Sequence, residues 1–548
     1  MAHRLLGDDL DQAAIGQLLE LARRIVVDEG GAWGGAFCAC GKPERSWRGH
    51  NRPPFWAARQ DPVQEIEVKL QVPAARRDAV MSAILRGRAT RAHFRAQYFD
   101  TPDRRLAVAG LAARVRREGR RWVQAAKGTG DGLLARLEHE VPLGTARAAP
   151  AFDIARHAGT RVGDALRETL AGQDATLGLR FETDVWRTRR ELLVGGARIE
   201  IAFDEGVLRA GESTLPVCEV EFELLGGPVS GLIEAAAHWA ARHGLWIDVR
   251  SKAERGHWLA DGCGAVPATK AAMPHVSRVS APAAALRECL RCALAQVLVN
   301  GAWIAAAAGQ PEHVHQARVG LRRLTTLLRE FGAWSDAADV QWSDGARSMF
   351  KALSATRDRD AVAAWLGPAL RAAGGTLPSL GEAAPASDAA AVFRSCETTQ
   401  WLLQLLAFVQ PPPSLDGAAG DLRALARPRL ARLHRQVHRA GQEFDALDDA
   451  ARHRARKRLK RLRYATESLS ALWPVKALAV YAQRLRDAQE ALGRLQDATV
   501  AETMLRDAAA LDVDAAFALG WLAARRDGLV ADAGRALRAL GAVPKFLR

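Results

Sequence analysis

Tyrosine and methionine are scarce in this chain, with 3 and 5 copies among 548 residues, and the aromatics Phe, Trp and Tyr make up only 6%. They are not interleaved with the basic stretches as platforms for stacked bases would be, which disfavours nucleic acid as a partner. No apolar run approaches the length of about eighteen residues that a membrane helix needs, and the first residues lack the apolar core of a secretion signal. Neither a membrane span nor export is therefore expected. Cysteine numbers 7, an odd count scattered over the chain, so no disulfide framework is expected and a reducing, cytoplasmic setting fits. Acid is also in deficit. Against 77 Lys and Arg stand 62 Asp and Glu, giving a net charge of +15. Such an excess implies an acidic partner such as nucleic acid, anionic lipid or polyphosphate, without choosing among them.

At 548 residues the chain exceeds one ordinary core, so two or three domains are expected. Residues 1–62 read as a poorly ordered extension, in which Asp11–Val27 has the period of a short amphipathic helix. Its Cys38-Ala39-Cys40 lacks a second ligand pair at zinc spacing. From Gln64 the pattern changes. Glu65-Ile66-Glu67-Val68-Lys69-Leu70 alternates charged and apolar residues, the period of a strand with two unlike faces. Ala113–Lys127 reads as a hairpin turning at Glu118-Gly119, with Arg114 and Arg116 on one face. Alternation returns at Arg136–Val141, in Arg198–Gly206 and in Val217–Leu224, and Val185-Trp186-Arg187 lies in another short strand. Helices are expected over Ala74–Arg86, Ile154–Leu170 and Val229–His243, and Arg250–Arg255 closes the unit.

Many short antiparallel strands sharing a charged face suggest a closed barrel, because closure removes sheet edges. A wide barrel keeps the charged row inside and turns its apolar face onto the helices. Interior charges must be paired, hydrated or metal-bound. Glu65, Glu67, Asp204, Glu219 and Glu221 can hold Mg2+ or Mn2+ through oxygen. Lys69, Arg114, Arg116, Lys127, Arg187 and Lys252 can neutralise phosphate oxygens. Together they suit metal-assisted phosphoryl transfer to water.

In order along the chain, Glu65-x-Glu67-x-Lys69, Arg114-x-Arg116, Lys127, Asp204-Glu205-Gly206, Glu219-x-Glu221-x-Glu223 and Ser251-Lys252-x-x-Arg255-Gly256 resemble the CYTH superfamily of triphosphate tunnel metalloenzymes. The strands around Asp204 and Glu219 are most similar to bacterial inorganic triphosphatases. The resemblance implies a tunnel domain over residues 63–262 in which the Glu-x-Glu pairs hold metal. It implies that Lys69, Arg114, Arg116, Lys127, Arg187 and Arg255 grip a triphosphate, with Lys69, Lys127 and Lys252 as candidate catalytic groups. The implied reaction is hydrolysis of inorganic triphosphate to phosphate and diphosphate. A thiamine or nucleoside triphosphatase and a class IV adenylate cyclase share the same tunnel and stay open, as does a non-enzymatic polyphosphate adaptor.

Residues 263–282 read as a linker rich in Ala, Gly and Pro. Beyond it a period of 3.6 residues takes over, giving an α+β chain whose second part is all-α. His315, Arg318 and Arg322 share one helix face, as do His453, Arg456, Lys457 and Lys460 on another. Each helix is followed by a comparable signature, Leu353–Asp360 and Leu492–Asp497. A long repeat of about 283–410 and 421–548 is therefore expected, broken at Pro411-Pro412-Pro413. Two pseudo-symmetric helical bundles would bring the basic faces into one anion-binding groove. The Cys289-x-x-Cys292 pair reads as core. His315–Leu324 and Lys457–Ala465 resemble the CHAD domain, which is associated with inorganic polyphosphate. That resemblance makes His315, Arg318, Arg322, Arg323, His453, Lys457, Lys460, Arg461 and Arg463 candidate polyphosphate ligands, and a place at polyphosphate granules an expectation.

Overall fold

In a computed structural model of the chain the described residues are 64–548, apart from 131, 172–175, 340, 354–357, 381–387, 411–419 and 507–511. The expected extension over 1–62, Cys38, Cys40 and Pro411–Pro413 lie outside them, as do residues 354–357 of the Leu353–Asp360 signature. Through the first half run β1 (Gln64–Gln71), α1 (Arg77–Ile84), β2 (Thr90–Asp100), α2 (Arg105–Val108), β3 (Ala112–Glu118), β4 (Arg121–Thr129) and β5 (Ala135–Gly144). They are followed by α3 (Arg161–Thr169), β6 (Gly178–Val194), β7 (Ala197–Ala210), β8 (Ser213–Gly226), α4 (Val229–His243), β9 (Trp246–Ile247) and α5 (Lys252–Ala260).

The sheet order is β5-β4-β3-β2-β6-β7-β8-β1-β9, and β1 also pairs with β5. That last pairing closes eight antiparallel strands into a barrel, with the two-residue β9 hung on β1. Three details differ from the sequence reading. The short strand around Trp186 is a 17-residue strand, long enough to pair with both β2 and β7. The helix expected from Ile154 begins at Arg161, because Gly159 takes φ 78° and interrupts it after a 3-10 turn. The closing segment after Ser251 is a true helix, α5, started by a capping box between Ser251 and Glu254.

Outward residues of the strands are apolar and carry the helices. Leu70, Ile199, Ile201 and Phe222 join Leu232, Ala236 and Trp239 of α4 in one core. Val162 and Leu166 of α3 cover a second patch made by Leu106, Ala113, Ala126 and Leu137. The second half is helical: α6 (Pro282–Ala305), α7 (Pro311–Phe331), α8 (Trp342–Ala352), α9 (Asp358–Ala372), α10 (Ala389–Arg394) and α11 (Cys396–Val409), then α12 (Leu422–Gln442), α13 (Asp449–Ser468), α14 (Val475–Arg506) and α15 (Val513–Arg538). Leu402 and Leu406 of α11 belong to the same core as α4, and Gln400 donates to the Ala237 carbonyl at 2.7 Å. Cys289 and Cys292 are buried in α6. Among the described residues no helix is long and apolar enough to cross a membrane.

Candidate functional site

The barrel encloses a cavity of about 790 Å³, and the strands line it with a dense set of charged side chains of both signs. Its residues follow the strand period of two. Glu65, Glu67 and Lys69 come from β1, Arg114 and Arg116 from β3, Glu138 and Glu140 from β5, Arg187 and Arg189 from β6, and Glu221 and Glu223 from β8. Register then decides which charges meet. Lys69 lies opposite Glu221 and Glu67 opposite Glu223. Lys127 lies opposite Glu138, and Arg187 opposite Asp204.

Two groups of carboxylates result, and they are neutralised unequally. In the first, oxygens of Asp204, Glu219 and Glu221 lie within 4.8 Å of one another. Arg187 grips Asp204 with two hydrogen bonds of 2.7 Å and also contacts Glu221. The Lys252 ammonium, delivered by the first turn of α5, stands 2.7 Å from Asp204 and 2.8 Å from Glu221 and touches Glu219. Arg255 also contacts Glu219, which takes a third bond of 3.0 Å from Gln71. Burial would favour the neutral acid at Glu219, but Arg255, Lys252 and Lys69 outweigh it and hold the carboxyl at about 2. Burial likewise opposes the charge on Lys252, and Asp204, Glu219 and Glu221 overcome it, raising its pKa well above the ordinary lysine range.

The second group is short of positive charge. Lys127 bonds Glu65 at 2.8 Å and pairs with Glu138 at 2.8 Å, while Arg136 stays 4.0 Å from Glu67. Glu223 is pushed up to about 7 by burial and by the nearby Glu65 and Glu200. Glu65 is raised too, by burial, in spite of Lys127. Carboxylates held together with too few cations are the condition a divalent ion relieves, and an all-oxygen donor set suits Mg2+ or Mn2+.

Further along the wall Arg114 bonds both Glu138 and Glu140 at 3.2 Å, and Arg116 bonds Glu140 at 3.1 Å. Burial works against Arg114, yet Tyr98, Glu138 and Glu140 keep it charged. Lys69 donates to the Arg250 carbonyl at 3.2 Å.

Most of the expected tunnel residues are thus brought together. Two are displaced from their expected place: Glu219 and Arg255 are both nearly inaccessible and pair with each other behind the wall, outside the cavity lining. Glu138, Glu140, Glu200 and Glu223 line the tunnel and were not singled out as ligands. Their alternation is visible in the sequence, but the partners they meet depend on register.

In the helical half, α7 and α13 set their basic faces side by side. Arg318 and Arg322 lie over the ring of Phe350, at 4.8 and 4.5 Å from its centroid. Lys460 is pushed down to about 6, first by burial and then by Arg322 and Arg456. His453 shares a 2.8 Å hydrogen bond with Gln496 of α14, within the Leu492–Asp497 signature. The nine candidate ligands do not form one row. Arg323 and Arg463 both pair with Glu467, at 2.7 and 2.6 Å. Arg461 turns to the buried Glu330, which also holds Arg432.

A charged barrel followed by a basic helical unit defines a two-part protein, and comparison with known families bears this out. A CYTH domain matches residues 63–257 and a CHAD domain residues 284–506. The chain is a CYTH domain followed by a C-terminal CHAD domain. It is 32% identical over 168 residues to an inorganic triphosphatase of Haemophilus influenzae, a match covering 30% of this chain and 44% of that relative. Less than half of the relative is thus spanned. Among solved structures, the CHAD domain of Ricinus communis aligns at 26% identity with a TM-score of 0.41, covering 50% of this chain and 98% of that one. A putative adenylyl cyclase from Hippeastrum, described as having a dominant triphosphatase activity, aligns at 16% identity with a TM-score of 0.25, covering 36% and 96%.

Proposed function

We propose that the barrel hydrolyses inorganic triphosphate to phosphate and diphosphate with the help of a divalent cation, and that the α7–α13 groove binds inorganic polyphosphate. The observation that carries the first part is the pairing of a cation-rich wall with an under-neutralised acidic one inside a single cavity. Glu65, Glu67 and Glu223 would hold Mg2+ or Mn2+. Glu221, Asp204 and Glu219, already balanced by Lys252, Arg187 and Arg255, would keep those cations in place. When bound, the metal supplies Lewis-acid stabilisation of phosphate oxygens and lowers the pKa of a coordinated water.

This chain's own groups do the rest. Arg114, Arg116 and Lys127 bind the phosphate oxygens of the substrate. Lys69 and Lys252 would stabilise the charge that grows on the transferred and leaving groups by fixed electrostatics. Because Arg114, Arg116, Lys127 and Lys252 are already held by carboxylates and Lys69 by the Arg250 carbonyl, they need little reorganisation when the anion arrives.

Phosphate release from tripolyphosphate, ATP, thiamine triphosphate and long polyphosphate, with and without chelator, tests this reading. Fast release from tripolyphosphate is expected, lost on chelation and lowered at least about a hundredfold in Glu65→Gln and Glu67→Gln. Long-chain polyphosphate should still bind in chelator. No release from any substrate, with polyphosphate still held, would make the protein an adaptor instead.

A further inference from the structure

One end of the tunnel is bounded by residues from outside the barrel. At the end marked by α5, the cavity is lined by Gly264, Ala265, Val266 and Pro267 of the connecting segment and by Val299 and Trp303 of α6. This boundary is built rather than incidental. The buried Asn300 of α6 holds the segment at both groups of one residue, accepting from the Thr269 amide at 3.0 Å and donating to its carbonyl at 2.8 Å. Trp258 of α5 donates to the Gly264 carbonyl at 2.9 Å, and its ring meets Trp303 edge to face at 5.5 Å. Arg250 lies 4.7 Å over the other aromatic partner, Trp303, while its guanidinium is tied to Asp248 at 2.7 and 2.9 Å.

The chemistry of this end is unlike that of the walls. Residues 262–269 carry no charged side chain. Arg104, a guanidinium that lines the cavity, is already paired with Asp261 at 2.6 Å. A phosphate pushed past Lys69 and Lys252 would therefore lose water against indole and alkyl groups without gaining a cation. Every further unit of a longer chain would meet that penalty again.

We infer that Trp303 and the segment pinned by Asn300 form an end stop that limits how long a phosphate chain the tunnel accepts, so that the helical domain sets the substrate length of the barrel. This rests on the tunnel being a triphosphate hydrolase, and it adds a residue of α6 as a specificity determinant.

The test compares the full-length chain with Trp303→Ala, which opens the stop, and with Val266→Arg, which places a cation on it. Initial rates of phosphate release are measured with tripolyphosphate, tetrapolyphosphate and medium-chain polyphosphate. Both variants retain the α7–α13 groove, so its capture of long chains cancels in the comparison. In Trp303→Ala the ratio of kcat/KM for tetrapolyphosphate over tripolyphosphate is expected to rise about tenfold, the scale on which apolar pocket walls discriminate. In Val266→Arg, whose side chain is partly exposed and not part of the core, KM for tetrapolyphosphate is expected to fall. Wild-type release from tripolyphosphate combined with unchanged ratios and KM values in the variants overturns the end stop alone. A wild type that releases nothing from tripolyphosphate sinks the hydrolase reading and the end stop with it.

Discussion

In the tunnel, Lys252 contacts three carboxylates and Arg187 two, whereas in the groove Lys460 stands among Arg318, Arg322 and Arg456 with Asp497 as the acid that offsets them. Both regions are made from the same basic side chains, and they differ in who supplies the counter-charge. The barrel supplies its own, in fixed positions, and its cations are already charged and aligned before any ligand arrives. Around Lys460 the groove gathers more bases than acids, and that shortfall suits a ligand that brings its own negative charge. The first arrangement suits a reaction that needs defined geometry, and the second suits the capture of a long polyanion of any register.

The sharpest way to break this comparison is to remove one lysine from each side. Lys252→Met leaves three buried carboxylates facing one another, and unfolding in urea should show a loss of about 3–5 kcal/mol. Lys460→Met removes a crowded, partly neutralised amine, and the same measurement should show little loss or a gain of up to about 1 kcal/mol. Equal losses would mean that the groove is as internally balanced as the tunnel.

Proton linkage gives a gentler contrast. Lys460 sheds its proton on folding at neutral pH, since its pKa is pushed from the lysine range down to about 6. This group therefore makes the fold more stable as pH rises from about 6 toward the ordinary lysine value, and that contribution is lost as pH falls back to 6. A bound polyanion restores the proton, so long-chain polyphosphate should bind more tightly as pH drops from 8.5 toward about 6. Titration calorimetry in two buffers should detect the proton taken up, and Lys460→Met should abolish the uptake. Lys252 is raised rather than lowered, so it stays charged over that whole span.

Smallest is the effect of Ser251→Ala. It removes the hydroxyl that accepts from the Glu254 amide at 3.1 Å and should cost about 1 kcal/mol in thermal or urea unfolding. Because α5 carries Lys252 and Arg255 to the acidic trio, tunnel activity should fall with it while polyphosphate binding in the groove stays as it was.

The inward faces of β1, β3, β5, β7 and β8 were legible because charge alternates with apolar residues at the strand period, and with the short run at Arg187 that was enough to place Glu65, Lys69, Arg114, Arg187 and Glu221 in one interior. What alternation leaves out is register and depth. Lys127 meets Glu65 across 62 positions of sequence, and no local pattern encodes that pairing. Glu219 has the same spacing as Glu221 and Glu223, yet α5 lies over it and Arg255 neutralises it, a difference made wholly by tertiary packing. On α13 the basic run was visible, but Arg461 and Arg463 are claimed by Glu330 and Glu467, one of which comes from a distant helix. Asn300 and Trp303 gave no signal, because an Asn and a Trp on an apolar helix look like ordinary core until the segment they hold is seen.

The apolar core that α4 shares with α11 has a consequence for how this protein is made. A growing chain that has just released α4 from the ribosome holds every strand of the closed barrel but not the core that supports it. It must still emit α5 to α10 before α11 arrives with Leu402 and Leu406 to cover that helix. Throughout that interval apolar surface stands open to solvent, the situation in which partly made chains associate wrongly and chaperones are engaged. Synthesis from the N-terminus therefore makes the barrel wait for the helical half, and a chain stalled within the helices carries a complete set of tunnel charges on an unfinished protein.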